Sequence, residues 1–166
     1  EVAAHVNRIE TVWTWTLDAE GNLKGTAVTT FDGLFDRNLR GWFYYQTEDQ
    51  RKIILQSVAN SIKVGARLES YEISDVLDLQ KEARVTLTFT APSYAFIQGD
   101  MMILNLPQSL TLLGRNPFTP MFPTVKYPCQ VEDSFQEAAR LTVTPPQGYR
   151  VAYRPPSQTV RGPLFS

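Results

Sequence analysis

The chain has 166 residues, a formal net charge of −1, one cysteine and one histidine. A domain of this size buries enough surface to fold around one core without disulfides or metal. The near-zero charge excludes the basic surface that nucleic-acid binding requires, and a single cysteine excludes both an internal disulfide and a cysteine-rich zinc site. We therefore predict one domain over residues 1–166, with no cofactor, no metal, no nucleic-acid partner and no membrane span.

The two ends of the chain lead us to expect a module of a longer polypeptide. The chain begins at Glu1 rather than at methionine, and it stops at Leu164-Phe165-Ser166, where a new apolar run begins. A signal peptide is not visible, and a mature form or an internal module would lack one. The N-terminus therefore assigns no compartment.

Two alternating runs predict a β-hairpin near the N-terminus. Between residues 8 and 17 every second side chain is apolar, β-branched or aromatic, and the same alternation returns over residues 23–31. Period-two patterning of this kind is typical of strands with one buried face. The intervening residues 18–22 include Gly21 and Asn22, which tolerate the backbone conformations of a turn.

A helical pattern follows and predicts an insertion around residues 36–60. An apolar stripe at helical spacing is formed by Phe35, Leu39, Trp42 and Phe43. Asp36 is a candidate cap for this first helix. Thr47 and Gln50 have the spacing of a capping box, which predicts the start of a second helix.

The second half of the chain returns to strand patterning. Further runs of this type are residues 67–73, 84–90, 94–99, 101–106, 140–144 and 149–153. The turn formers at 145–148 predict that the last two runs pair as a hairpin. All but one of the eleven prolines lie from Pro107 onward, which predicts a proline-rich connection over about 107–128. The fold class predicted is mainly β: an antiparallel β-sandwich-like domain with a helical insertion around 36–60.

Few residues offer catalytic chemistry. Cys129 is the only thiol and His5 the only imidazole, and no third residue is in place to orient them, so a small buried side chain is the favoured interpretation of Cys129. Glu69, Glu72 and Glu132 are the acids that a paired-carboxylate enzyme would use. Solvent-facing strand positions are the favoured interpretation of these acids, and enzymatic activity is the third of three hypotheses.

The aromatic side chains suggest a binding platform or a core. The candidate platform for stacking on sugars consists of Trp13, Trp15, Trp42, Phe43, Tyr44 and Tyr45. Trp13 and Trp15 lie on the apolar face of the first strand, and Trp42 lies on the apolar stripe of the first helix, so the core is favoured over the platform. Tyr44 and Tyr45 are the residues expected to be exposed, and together with Trp42 they form the candidate ligand or partner surface.

An ordered set of short motifs resembles a known family. These motifs are the hairpin Leu17-Asp18-Ala19-Glu20-Gly21-Asn22-Leu23-Lys24-Gly25, then Asp32-Gly33, Asp49-Gln50-Arg51, Gly99-Asp100, Asn105-Leu106-Pro107, Asn116-Pro117-Phe118, Lys126-Tyr127-Pro128 and Pro146-Gln147-Gly148-Tyr149. In their order and spacing they resemble the C-terminal β-rich domain, a domain of unknown function, of bacterial transglutaminase-like multidomain proteins. Gly33-Leu34-Phe35-Asp36 departs from the Gly-x-x-Ala pattern expected before the helix, which indicates a divergent branch.

The resemblance implies a function without catalysis in this chain. In such proteins the Cys-His-Asp machinery belongs to a papain-like domain upstream, and no segment here matches its motifs. We therefore predict a non-catalytic accessory or interaction domain flanking a transglutaminase- or protease-like domain, with the upstream domain as partner. The resemblance also favours the periplasm or the cell surface. The alternative is a glycan- or peptide-binding β-sandwich module, whose partner is a glycan or a protein.

Overall fold

The computed structural model describes residues 7–107, Leu113 and residues 135–159. Their elements, in chain order, are β1 Asn7–Leu17, β2 Leu23–Asp32, α1 Leu34–Tyr44, α2 Glu48–Ile62, β3 Arg67–Ile73, β4 Ala83–Ala91, β5 Phe96–Gln98, β6 Met101–Ile103 and β7 Phe135–Thr144. The prediction of a mainly β fold with a helical insertion around 36–60 is confirmed. The predicted connection over 107–128 lies outside the described residues, apart from Pro107 and Leu113.

The N-terminal hairpin forms as its alternation predicts. On β1 every second side chain from Ile9 to Leu17 is at most 5% exposed, and on β2 every second residue from Leu23 to Phe31 is buried. The Asp18 carboxylate closes the turn by accepting hydrogen bonds from the side chain and backbone N–H of Asn22 and from the backbone N–H of Glu20. These hydrogen bonds, the Asn22 side chain first among them, lower the pKa of Asp18.

The main sheet has five strands in the order β3-β4-β2-β1-β7, and it is mixed rather than wholly antiparallel. β7 lies parallel to β1 and starts at Phe135, ahead of the predicted start at residue 140. Parallel pairing places Leu141 opposite Trp13 and Val143 opposite Trp15, so both aliphatic side chains pack against the core. This burial stabilises the pairing of β7 with β1.

The predicted partner of β7, residues 149–153, is not a strand. The turn before it does form, since the Tyr149 N–H donates to the Pro146 carbonyl at 3.1 Å and Gly148 has a φ of +88°. Residues 149–159 have no regular structure, and Val151 and Tyr153 are more than 70% exposed. The predicted C-terminal hairpin is therefore wrong beyond its turn.

One face of the sheet carries the core, and the opposite face is largely polar and rich in threonine. The core face is covered by α1, by α2 and by the small β5–β6 sheet, which contribute Leu39, Phe43, Leu55, Ala59 and Met102. On the opposite face the register aligns Thr142, Thr14, Thr26 and Thr88 across four neighbouring strands. Threonine suits an exposed strand position because its branched side chain favours extended backbone.

The two helices begin by different means. The Thr47–Gln50 capping box is present, with the Thr47 N–H donating to the Gln50 side chain at 2.8 Å, and α2 continues to Ile62. Asp36, in contrast, does not cap α1. Gly33 is the N-cap residue, at a φ of +61°, and the side chain of Asn7 accepts the Leu34 N–H at 2.8 Å. Neither helix is long and apolar enough to cross a membrane, within the residues that the structure describes.

Gly25 provides a stability test. A Cβ at this position would lie 2.4 Å from the buried ring of Phe89 and 3.1 Å from Trp15. Because neither ring has space to move, we expect Gly25→Ala to lower the free energy of unfolding by about 1–3 kcal/mol. The matched control is Gly41→Ala on helix α1, where nothing lies within 4 Å, and there we expect a gain of about 0.5–1 kcal/mol. Urea unfolding of both variants measures the difference, and equal effects would contradict the packing.

Candidate functional site

Three aromatic side chains at the C-terminal end of α1 face solvent. Trp42, Tyr44 and Tyr45 are 43%, 54% and 80% exposed, whereas Phe43 between them is fully buried. A helix turns by about 100° per residue, so Leu39 and Phe43 face the core and the neighbours of Phe43 face outward. Trp42, Tyr44 and Tyr45 are called the aromatic surface below.

The backbone under the aromatic surface is held in place by two hydrogen bonds. The Phe43 carbonyl accepts from the Gln46 N–H at 3.2 Å and from the Arg51 guanidinium, on α2, at 2.7 Å. Tyr44 and Tyr45 meet edge to face with ring centroids 5.0 Å apart, and Trp42 lies 5.0 Å from the buried ring of Phe43. The three exposed rings are therefore presented from a fixed helix end rather than from a free loop.

The aromatic side chains of the candidate sugar platform do not lie on one surface of the folded protein. Trp13 and Trp15 are 1% and 0% exposed and contact each other edge to face at 5.8 Å, so the prediction of a core role for them is confirmed. The core role predicted for Trp42 is wrong. Trp42 lies one residue beside the buried stripe of Leu39 and Phe43, which turns its side chain to the rim of that stripe.

The candidate acids from the sequence do not converge. Glu69, at the bulge of β3, accepts a hydrogen bond from the Thr90 hydroxyl at 2.8 Å. Glu72 is exposed further along the same edge strand. Glu132, Cys129 and His5 lie outside the described residues. Neither described acid lines the cleft that the structure contains elsewhere.

That cleft has a volume of about 400 Å³ and was not predicted from the sequence. Its charged lining consists of Arg8, Glu10, Asp32, Asp36, Arg40, Lys81 and Glu82. Two of its cations are already paired, since Arg8 contacts Glu10 and Arg40 contacts Asp36, each at 2.6 Å. The only sequence signal for the cleft was the four-residue spacing of Asp36 and Arg40, which is typical of an ion pair on one helix.

Arg40 binds the polypeptide rather than the cleft. Its side chain is 8% exposed and donates to the Asp36 carboxylate and to the carbonyls of Asp75, Asp78 and Lys81, at 2.5–3.0 Å. A guanidinium has five N–H donors, so four of the five are used. Arg40 therefore fixes the 75–81 turn onto α1, and little of its hydrogen-bonding capacity remains for a ligand.

The remaining charges near this turn also pair with each other. Lys81 lies 3.0 Å from Asp78; the hydrogen bond between them lowers the pKa of Asp78 and raises the pKa of Lys81. Both groups are at the surface, where such pairs contribute little to stability. No set of three or more His, Cys, Asp or Glu side chains is arranged to hold a metal ion in the described part of the chain. The aromatic surface, which remains exposed although its rings contact Phe43 and each other, is the candidate binding site.

The hydrogen bonds from Arg40 to the 75–81 turn predict that substitution by lysine destabilises the protein more at Arg40 than at Arg84. Arg40→Lys keeps the charge but loses the planar fork, which leaves half-buried carbonyls without donors, and we expect a loss of about 1–3 kcal/mol in unfolding free energy. The control is Arg84→Lys, where the exposed pair with Glu82 predicts a change below about 0.5 kcal/mol. Chemical unfolding measures both variants. An unchanged unfolding free energy in Arg40→Lys would show that these hydrogen bonds are not needed for stability.

Trp42 is the only exposed one of the three tryptophans, which predicts that a quencher in solution reaches its indole and not the other two. Acrylamide quenches indoles that it can reach, so we expect the quenchable emission to come from Trp42. Trp42→Phe should remove most of this quenching, and Tyr44→Phe, the control, should leave it unchanged. Persistent quenching in folded Trp42→Phe would show that Trp13 or Trp15 is accessible.

Comparisons of this chain with protein-family models, with curated proteins and with solved structures found no match. The resemblance to the C-terminal domain of transglutaminase-like proteins therefore stays a prediction from the motifs.

Proposed function

We propose that this chain is a non-catalytic accessory domain that binds a neighbouring domain of the same polypeptide through the aromatic surface. The observation that carries the proposal is the exposure of Trp42, Tyr44 and Tyr45 on a helix end held by Arg51. Tryptophan and tyrosine are enriched at protein interfaces because each supplies a large contact area for few rotatable bonds. Three such side chains exposed at one helix end form a candidate contact surface for a partner.

The neighbouring domain follows from the motif resemblance. On that basis it is a transglutaminase- or protease-like catalytic domain upstream of Glu1, in a protein of the periplasm or cell surface. Two features of the described residues support a role without chemistry for this chain. In the cleft Arg8 pairs with Glu10 and Arg40 with Asp36, and elsewhere Glu69 accepts a hydrogen bond from Thr90.

The alternative function is a glycan- or peptide-binding module that uses the same surface. The exposed indole of Trp42 favours it, because an aromatic face stacks on the apolar face of a sugar ring. The two functions differ in what covers the aromatic surface. In the first it is a folded domain on the same chain, and in the second it is a free ligand.

Hydroxyl-radical footprinting with mass spectrometry distinguishes them. We expect oxidation of Trp42 and Tyr45 to fall at least about threefold in a polypeptide extended upstream of Glu1, relative to the 166-residue chain. The buried Trp13 is the internal control and should not change. Equal oxidation in both chains would contradict the proposal, and protection of the short chain by soluble oligosaccharides would favour the alternative.

An activity assay tests the proposal that this chain is not catalytic. The 166-residue chain, incubated with a glutamine-containing peptide and a fluorescent amine, should give no hydrolysis or crosslinking above buffer. Turnover that Cys129→Ala abolishes would refute the proposal, and turnover lost in Glu69→Gln or Glu72→Gln would identify a carboxylate enzyme instead.

A further inference from the structure

The two edges of the main sheet differ in their protection. Strand β3 is short and is interrupted by a register shift between Leu68 and Ser70. The amide of Gln56, on α2, donates to the Ala66 carbonyl at 2.8 Å and accepts the Leu68 N–H at 2.9 Å. A side chain thus occupies the start of this edge, and a bulge distorts the rest. Bulges and covered edges are two of the means by which proteins prevent strand addition.

Within the described ranges 7–107 and 135–159, strand β7 shows neither kind of protection. It pairs with β1 over ten consecutive positions, from Asn7 opposite Phe135 to Thr16 opposite Thr144, without a register shift. It contains no proline and no lysine. Among the described residues β1 is its sole hydrogen-bonded neighbour in the sheet. A long, regular and unpaired edge is a template for another strand.

We propose that the outer edge of β7 pairs antiparallel with β7 of a second copy of this chain, joining two five-stranded sheets into one. This inference goes beyond the proposed function, because it involves neither the aromatic surface nor an upstream domain. A two-fold axis perpendicular to the sheet generates such a pair and keeps the core faces of both copies on one side. Residues opposite each other across the interface then lie on the same face.

The sequence of β7 suits pairing with itself. With Ala139 at the axis, Phe135 faces Val143 of the second copy, and Glu137 faces Leu141 rather than another acid. Phe135 is 39% exposed, and Leu141 and Val143 are half-buried, so the pairing removes apolar surface from water. The two alanines at the centre place no like charges opposite each other.

A second copy is favoured over a different protein as the occupant. Apart from Glu137 and Arg140 the strand is uncharged, so it offers little to select a charged foreign peptide. The net charge of −1 also leaves only weak long-range repulsion between two copies. Because one strand pair buries little area, we expect a dissociation constant between about 1 μM and 1 mM.

Sedimentation velocity over a concentration series tests the proposal. We expect the sedimentation coefficient of the wild-type chain to rise with concentration, and Ala139→Lys and Ala139→Glu each to remain monomeric, because each places like charges at the axis. An equimolar mixture of the two variants should associate at a concentration at least about tenfold lower than either alone. Ser70→Lys, on the protected edge, is the control and should associate like the wild type.

The outcomes are decisive in both directions. A wild-type chain that stays monomeric up to about 1 mM, or variants that associate as the wild type does, would overturn the proposal. If either variant unfolds, amide hydrogen exchange of the wild-type chain at several concentrations serves as the test instead. The proposal then requires that protection rises with concentration within Phe135–Thr144 and does not change within Arg67–Ile73. Oxidation of Trp42 stays unchanged on self-association, so failure of this proposal is distinct from failure of the proposed function.

Discussion

The structure depends on one row of side chains that crosses three strands. The register places Trp15 opposite Gly25 and Gly25 opposite Phe89, and atoms of both large rings lie where a side chain of residue 25 would begin. The next row repeats the arrangement, with Trp13 and Leu87 on either side of Ala27. Small residues on the central strand are therefore required by the large ones beside it.

This packing outweighs the loss of a hydrogen bond. The Nε1 of Trp15 is buried without an acceptor in the described part of the chain, which costs about 1–3 kcal/mol. A fully buried indole removes some 200 Å² from water, which contributes roughly 5 kcal/mol in return. The net gain explains why a donor remains unsatisfied at the centre of the sheet. It also explains why Trp13 and Trp15 belong to the core while Trp42, whose loss would leave this row intact, is at the surface.

The sequence predicts those parts of the fold that local patterns determine. Alternation specified β1, β2 and β4 together with their buried faces, and the capping box specified the start of α2. The parallel pairing of β7 was missed because it joins strands more than a hundred residues apart, and no local pattern records which distant edge is free. The cleft was missed for the same reason, since Arg8, Arg40 and Lys81 meet only after β1, α1 and the 75–81 turn have packed. The sequence predicted part of the candidate surface. The helical period places Tyr44 and Tyr45 outside the apolar stripe of α1, but it does not show that Trp42 lies at the rim of that stripe.

Three arginines of this domain bind groups within the domain itself. Arg40 donates four hydrogen bonds, to the 75–81 turn and to Asp36 of α1. Arg51 donates to the end of α1, and Arg8 pairs with Glu10. The two contact surfaces proposed for this domain are the aromatic surface and the backbone edge of β7, and neither acts through net charge. Aromatic stacking and strand pairing are both short-ranged, and they are little screened by salt. A domain built in this way suits partners that are already close, such as a neighbour on the same chain or a second copy, rather than partners that must be attracted over a distance.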